Sequence, residues 1–223
     1  MQEKRAANFS YLLGGLLCVL VAGPVAHEFT NQPLTLITQL AFTGTLIIGI
    51  WSLIDSRRWF IAGIVLAGTD IVVTVIAIRT ASPLAENLTL VIGLAFCSMS
   101  LVFTMRHVLI GRNVDFNRLV GAVCVYLLLG VTLSLLNMLV FRFVPDSFRG
   151  LSAAADATRG LDLLYYTFVT MSTLGYGDIT PVGPLARVLA YLAAVLGQFY
   201  IAILIGMLVG LYLSQDREPA TKS

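Results

Sequence analysis

The sequence predicts an all-α membrane protein with six transmembrane helices and one short re-entrant segment. Three observations lead there. The 223 residues are 58% hydrophobic and 12% charged, about half the charged share usual in a soluble domain. Apolar runs of about 20 residues recur along the chain, each long enough to cross a ~30 Å hydrocarbon core as a helix. One further apolar run, 163–172, is about half that length and leads into a glycine-rich stretch.

The first span covers 9–26. Lys4 and Arg5 before it and Ala22-Gly23-Pro24-Val25-Ala26 at its end give it the look of a signal sequence. A retained helix is the expectation, because its removal would break the charge topology given below. The second span covers 34–54 and stops at Asp55-Ser56-Arg57-Arg58; the third covers 59–78. The fourth opens at Ser82-Pro83, a cap followed by proline at the first helical position, and runs to 109. Gly111-Arg112-Asn113 breaks the pattern. The fifth covers 116–143 and stops before Pro145. Residues 146–162 are too polar for lipid. Residues 163–172 then read as a re-entrant helix, with Asp162 at its N-terminus suiting the positive end of the helix dipole. The sixth span starts at Gly183-Pro184 and ends near 214, about 45 Å at 1.5 Å per residue, so it tilts or protrudes. Residues 215–223 form a short cytoplasmic tail.

Basic residues set the orientation. Lys4, Arg5, Arg57, Arg58, Arg106, Arg112, Arg118, Arg217 and Lys222 fall on one side; Arg79, Arg142, Arg149, Arg159 and Arg187 fall on the other. Nine against five places both termini in the cytoplasm of a multi-pass cell-membrane protein, and the re-entrant segment enters from outside. The net charge of +2 and the lack of a basic tail give no sign of nucleic-acid binding. Cys18, Cys97 and Cys124 lie within apolar runs and read as small buried hydrophobes, with no metal-site spacing and no disulfide framework. Trp51, Trp59 and Tyr212 read as interfacial anchors, His27 as a solvated interfacial residue, and Ser134 and Asn137 as hydrogen-bonding to neighbouring helices.

The chemistry lies in Thr173-Leu174-Gly175-Tyr176-Gly177-Asp178. A dehydrated cation needs oxygens to replace its water shell. Gly175 and Gly177 reach backbone angles other residues resist, so successive carbonyls can turn the same way. Four copies would stack rings of carbonyls, with Thr173 hydroxyls adding a ring at the inner end. Such non-helical backbone at membrane depth is tolerated only within protein or beside a water-filled path. The C-terminus of the preceding helix brings partial negative charge toward the membrane centre.

Residues 165–178, YYTFVTMSTLGYGD, resemble the pore helix and selectivity filter of tetrameric potassium channels. The resemblance covers about 116–214. It implies a homotetramer in lipid that conducts K⁺ passively, with K⁺ ions, and no other cofactor, bound in a filter at Thr173, Leu174, Gly175 and Tyr176. Valine usually stands in the family where this chain has Leu174, and two tryptophans often stand at Tyr165 and Tyr166. These aromatics and Thr170 would then support the filter, and the Tyr165 hydroxyl would bond Asp178. Gly197 falls where the family's inner helix has a hinge glycine; close helix packing is the other reading. Gly206 and Gly210 form a GxxxG pair for packing. The family's proline-containing inner-gate motif is missing.

Six spans with the pore in the last two resemble voltage-gated members. That divides the chain into a four-helix, voltage-sensor-like domain over 1–112, a pore domain over 113–214 and the tail. Arg106 is the only arginine of the fourth span. Each charge moved through 100 mV yields about 2.3 kcal/mol, and steep gating needs three or four per subunit, so strong voltage dependence is not expected. No ATP motif is seen, and the tail is too short for a nucleotide-binding regulatory domain. Asp70 lies mid-membrane in the third span, and three readings of it stand open: pairing with Arg106 or His107, a neutral acid bonded to Thr69 or Thr74, or a role in gating or proton sensing.

Rival classes exist. Gly175-Tyr176-Gly177-Asp178 also fits the GxGD signature of intramembrane aspartyl proteases, with Asp70 as second carboxylate; such dyad chemistry needs the two acids side by side. A weakly selective cation channel is a second rival, against which Tyr176 argues. A non-conducting regulatory subunit is a third. The expectation is a channel rather than an enzyme.

Overall fold

A computed structural model describes residues 9–29, 57–80, 82–110, 116–152 and 156–215. Six helices and two very short strands fall within them: α1 Phe9–Phe29, α2 Arg57–Thr80, α3 Pro83–Ile110, α4 Phe116–Phe143, β1 Phe148–Arg149, α5 Asp156–Met171, β2 Thr180–Pro181 and α6 Pro184–Gln215. The second predicted span, 34–54, lies outside the described residues, as do the side chains of His27, Trp51 and Tyr212. Four helical stretches are long and apolar enough to cross a bilayer: Trp59–Thr80, Pro83–Leu109, Asn117–Phe143 and Pro184–Leu204. The apolar stretch Phe9–Val21 of α1 is shorter.

Local chemistry sets the ends. Pro83 opens α3 where a missing N–H costs nothing, the Glu86 N–H reaches the Ser82 carbonyl at 3.2 Å, and Glu86 places an acid at the positive end of the helix. Pro184 opens α6 in the same way, with the Arg187 N–H donating to Gly183 O at 3.0 Å. The start of α1 is capped from another helix, since Phe9 N–H donates to Asn117 Oδ1 at 3.0 Å. The last turn of α3 is capped by Arg118, whose Nε donates to Val108 O at 2.5 Å.

Helix α4 organises the molecule. It packs against α1, α3, α5 and α6 and is the most buried of the spanning helices. Phe9, Leu12 and Leu16 of α1 pack with Val120, Cys124 and Leu128 of α4. Toward the other end, Met138, Phe148, Leu163, Tyr166, Ile179 and Ala186 form a second core under the two strands. Between them Leu133, Met171 and Ala193 join α4, α5 and α6. Asn137 Nδ2 donates to Thr167 Oγ1 at 3.0 Å, so this α4 residue does bond across to a neighbouring helix. Cys97 and Cys124 are buried as expected, but Cys18 is exposed on α1, on a face that no described helix covers.

Two further expectations need correction. The re-entrant helix begins at Asp156 and not at Asp162. Its early charges are satisfied locally: the Asp162 carboxylate accepts the Ser152 N–H at 2.8 Å, Arg159 Nε donates to Ser152 O at 3.3 Å, and the Arg159 guanidinium sits 5.4 Å over the Phe141 ring. Asp162 therefore stands well inside the helix and fastens the preceding loop, away from the first turn. The second correction concerns Asp70 and Arg106, which do not pair. Helices α2 and α3 run antiparallel; Trp59 meets Phe103 at 6.2 Å between ring centroids, and Asp70 lies near Cys97. Arg106 is nine residues beyond Cys97, roughly 13 Å along the axis at 1.5 Å per residue, and it is exposed.

Candidate functional site

The candidate site is built on the end of α5. Thr173 N–H donates to Thr170 O at 3.1 Å and Leu174 N–H to Val169 O at 3.0 Å. These paired 5→2 and 6→1 bonds form a Schellman stop, with Thr173 in the left-handed position at φ 60°. Glycine usually occupies that position. A β-branched residue there is an outlier, and holding it costs on the order of 1–3 kcal/mol. Val169 O also accepts the Gly175 N–H at 3.3 Å, which folds the next segment back against the helix end.

From Thr173 the backbone alternates. Thr173, Gly175 and Gly177 have φ of 60°, 56° and 80°, and Leu174 and Tyr176 between them are negative. Alternating left- and right-handed residues turn successive N–H groups to one side of the chain and carbonyls to the other. Such a ribbon, with its carbonyl oxygens turned one way, would suit a bare cation. Nothing lies within 4 Å of where a Cβ would sit on Gly175 or Gly177, so backbone angle, and not crowding, demands glycine at both. Residues 172–178 are exposed along this ribbon.

Side chains fix both ends of it. At the far end, Tyr165 Oη donates to Asp178 Oδ2 at 2.9 Å. That bond, with the neighbouring carboxylate charge, pushes the Tyr165 phenol above its ordinary range. Tyr166 is buried, its ring edge-on to Phe148 at 5.5 Å. Strands β1 and β2 pair antiparallel, Phe148 opposite Pro181 and Arg149 opposite Thr180, and Ser147 O accepts the Val182 N–H at 2.9 Å. This ribbon presses on the site: Gly150, at φ 88°, leaves no room for a Cβ against the Asp178 carbonyl oxygen.

At the near end, α6 crosses the foot of α5. A Cβ on Gly197 would collide with the Met171 carbonyl oxygen and lie 3.0 Å from the Met171 Cα. Close approach therefore accounts for Gly197, and α6 runs through it unbroken. Gln198 Nε2 reaches the same Met171 oxygen at 3.4 Å. Below Thr173 is a groove of about 500 Å³ lined by Thr173, Ala194, Val195, Gln198, Phe199 and Ala202. Tyr200 fastens α6 to α4 by donating to Ala122 O at 2.5 Å. No Cβ clash explains Gly206 within the chain.

The fold thus brings Tyr165, Tyr166, Thr170 and 173–178 together with Gly197, and leaves Asp70 and Arg106 elsewhere. Asp70 is fully buried between α2 and α3, and neither carboxylate oxygen has a hydrogen-bond partner among the described residues. Thr69 does not serve it, since its hydroxyl bonds Val65 O in its own helix. Asp178 stands beside α5, bonded to Tyr165, so the two acids share no neighbours and form no dyad. Gly150, Ser147 and Gln198 were not singled out from sequence. A glycine in the polar 146–162 stretch was the one available signal, because a two-residue strand pairing leaves no periodic trace.

Residues 119–213, just under half of the chain, match a family described as ion channel. The chain is 42% identical over 74 residues to two pore potassium channel b of Oryza sativa subsp. japonica, covering 33% of this chain and 18% of that protein. It is 34% identical over 102 residues to two pore potassium channel a of the same plant, covering 45% and 26%. Against two-pore potassium channel 5 of Arabidopsis thaliana it is 33% identical over 89 residues, covering 40% and 19%. The chain therefore spans about a quarter or less of the length of these relatives. The family match takes in the ribbon, and the similarity is to channels, not to enzymes.

Proposed function

We propose that four copies of this chain form a passive, potassium-selective channel. One observation carries the reading: the φ angles of Thr173–Gly177 alternate in sign at the end of a half-membrane helix, a backbone that can turn its carbonyls to one side. With four copies around an axis, those oxygens and the Thr173 hydroxyls would form K⁺ sites at Thr173, Leu174, Gly175 and Tyr176. The apolar face of α6, where Tyr191, Val195, Phe199 and Ile203 are exposed in the single chain, supports the same assembly, since it would meet its copies around the groove below the filter. Potassium in the relatives' names points the same way. Both termini lie in the cytoplasm, six spans cross the cell membrane, and helices α1 to α3 belong to a peripheral bundle. With Arg106 as the only arginine on α3, that bundle carries no charge ladder and gating is not steeply voltage-dependent.

Liposomes carrying the purified protein and loaded with K⁺ or with Na⁺ test the reading by ion efflux. Fast K⁺ efflux with Na⁺ retained supports it. Equal efflux of both ions gives the site to a weakly selective cation channel, and no efflux of either removes conduction. Gly177→Ala, which puts a side chain at φ 80°, abolishes selective efflux.

A further inference from the structure

We infer that Arg149 and Arg187 form a cationic rim that thins the supply of K⁺ at the Asp178 end of the pore, with Arg149 the residue that sets it. The inference rests on the channel reading above. Its geometry comes from the β ribbon. Arg149 lies opposite Thr180 in the strand pair, one residue before Gly150, whose backbone touches the Asp178 carbonyl. Phe148 turns inward to the core with Tyr166, so Arg149 stands on the opposite, exposed face of the ribbon. Arg187 is exposed as well, with its Nε donating to Pro181 O of the same ribbon at 3.4 Å. Neither guanidinium meets a carboxylate among the described residues. The carboxylate nearest the exit in sequence, Asp178, is engaged by the Tyr165 hydroxyl.

A mouth meant to gather cations would carry acids, because fixed charge raises or lowers the local concentration of a permeant ion. Here four copies would put eight guanidiniums from Arg149 and Arg187 around the exit of a cation path, where each Asp178 carboxylate is already held by Tyr165 and the exposed Asp146 lies at the other end of the loop that carries Arg149. The rim lowers K⁺ at that mouth and slows entry from that side, with little effect on ions arriving through the groove. A divalent cation feels the same potential twice over, so the rim repels divalent blockers more strongly than K⁺ itself.

Single-channel recording in planar bilayers tests this with K⁺ added on the Asp178 side. At about 0.1 M salt, where charges act over ~10 Å, Arg149→Gln should raise current entering from that side about twofold, and Arg149→Glu further. Block by Ba²⁺ from that side should strengthen by roughly the square of that factor, about fourfold. Arg149→Lys, which keeps the charge, should behave like the parent. At about 1 M salt, where the screening length is ~3 Å, all four proteins should converge. Parent-like currents in the Gln and Glu variants at low salt overturn the rim. So does a change that persists at high salt or also appears in the Lys variant, which would make Arg149 a structural residue. A parent protein that passes no K⁺ removes the channel reading itself, and the rim with it.

Discussion

At the scale of single residues, backbone angle and close approach decide what each position tolerates. Gly197 faces main-chain atoms of Met171, which cannot move aside as a side chain can. Gly197→Ala should therefore cost about 1–3 kcal/mol by overpacking and disturb the Schellman stop that launches the 173–178 segment. Reduced thermal stability of the assembled protein together with lost K⁺ selectivity is the expected result; a stable, selective variant would mean that α6 does not press on α5. Asp70 gives a prediction of opposite sign. A buried carboxyl without a hydrogen-bond partner costs about 1–3 kcal/mol, so Asp70→Leu should raise the unfolding temperature. A lowered temperature would mean that the acid finds a partner in the working protein and would return it to the sensing readings. The bond from Tyr165 to Asp178 should hold throughout the neutral range. Its phenol is raised, so this bond's contribution is complete below the ordinary phenol value near 10 and fades only as pH climbs through the higher folded value. Tyr165→Phe removes the bond without opening a cavity, and currents should run down faster during sustained conduction.

At the scale of elements, the 173–178 segment is held between two packed surfaces. The foot of α5 is fixed by α6, and the Asp178 end is fixed by the β1–β2 ribbon with Ile179 and Phe148 buried beneath it. Gly150→Ala would drive a methyl into the Asp178 carbonyl at an angle that disfavours side chains, so it should loosen K⁺/Na⁺ discrimination while the spanning helices stay intact by circular dichroism. Much of this level was legible in the sequence. Proline caps, apolar length and Pro145 marked α3, α4 and α6 to within a residue or two, because those signals are local. The start of α5 was not legible: Arg159 read as loop and Asp162 as the helix N-terminus, because the contacts with Ser152 and Phe141 that satisfy their charges are not local signals. The left-handed backbone of 175 and 177 was legible through their glycines. The αL position of Thr173 was not, since it is imposed by the helix end and runs against the residue's own preference. The separation of Asp70 from Arg106 also depended on register, which composition does not record.

At the scale of the molecule, α3 and α4 pack along each other within one chain, joined only by residues 111–115, and Arg142 of α4 bonds Asn87 at 2.9 Å and Glu86 at 3.1 Å on α3. Helix α3 therefore leans on α4 of its own chain. With the native cysteines replaced by alanine, Glu86→Cys and Arg142→Cys joined by a short thiol cross-linker should give a band of monomer size; a ladder of multimers would mean that the domains exchange between subunits. The central claim is selective conduction through 173–177, and its most direct test is the reversal potential of purified protein in a planar bilayer with K⁺ on one side and Na⁺ on the other. The account predicts a reversal displaced far toward the K⁺ equilibrium potential. A reversal near zero would contradict it, because the carbonyl ribbon would then not discriminate between the two ions.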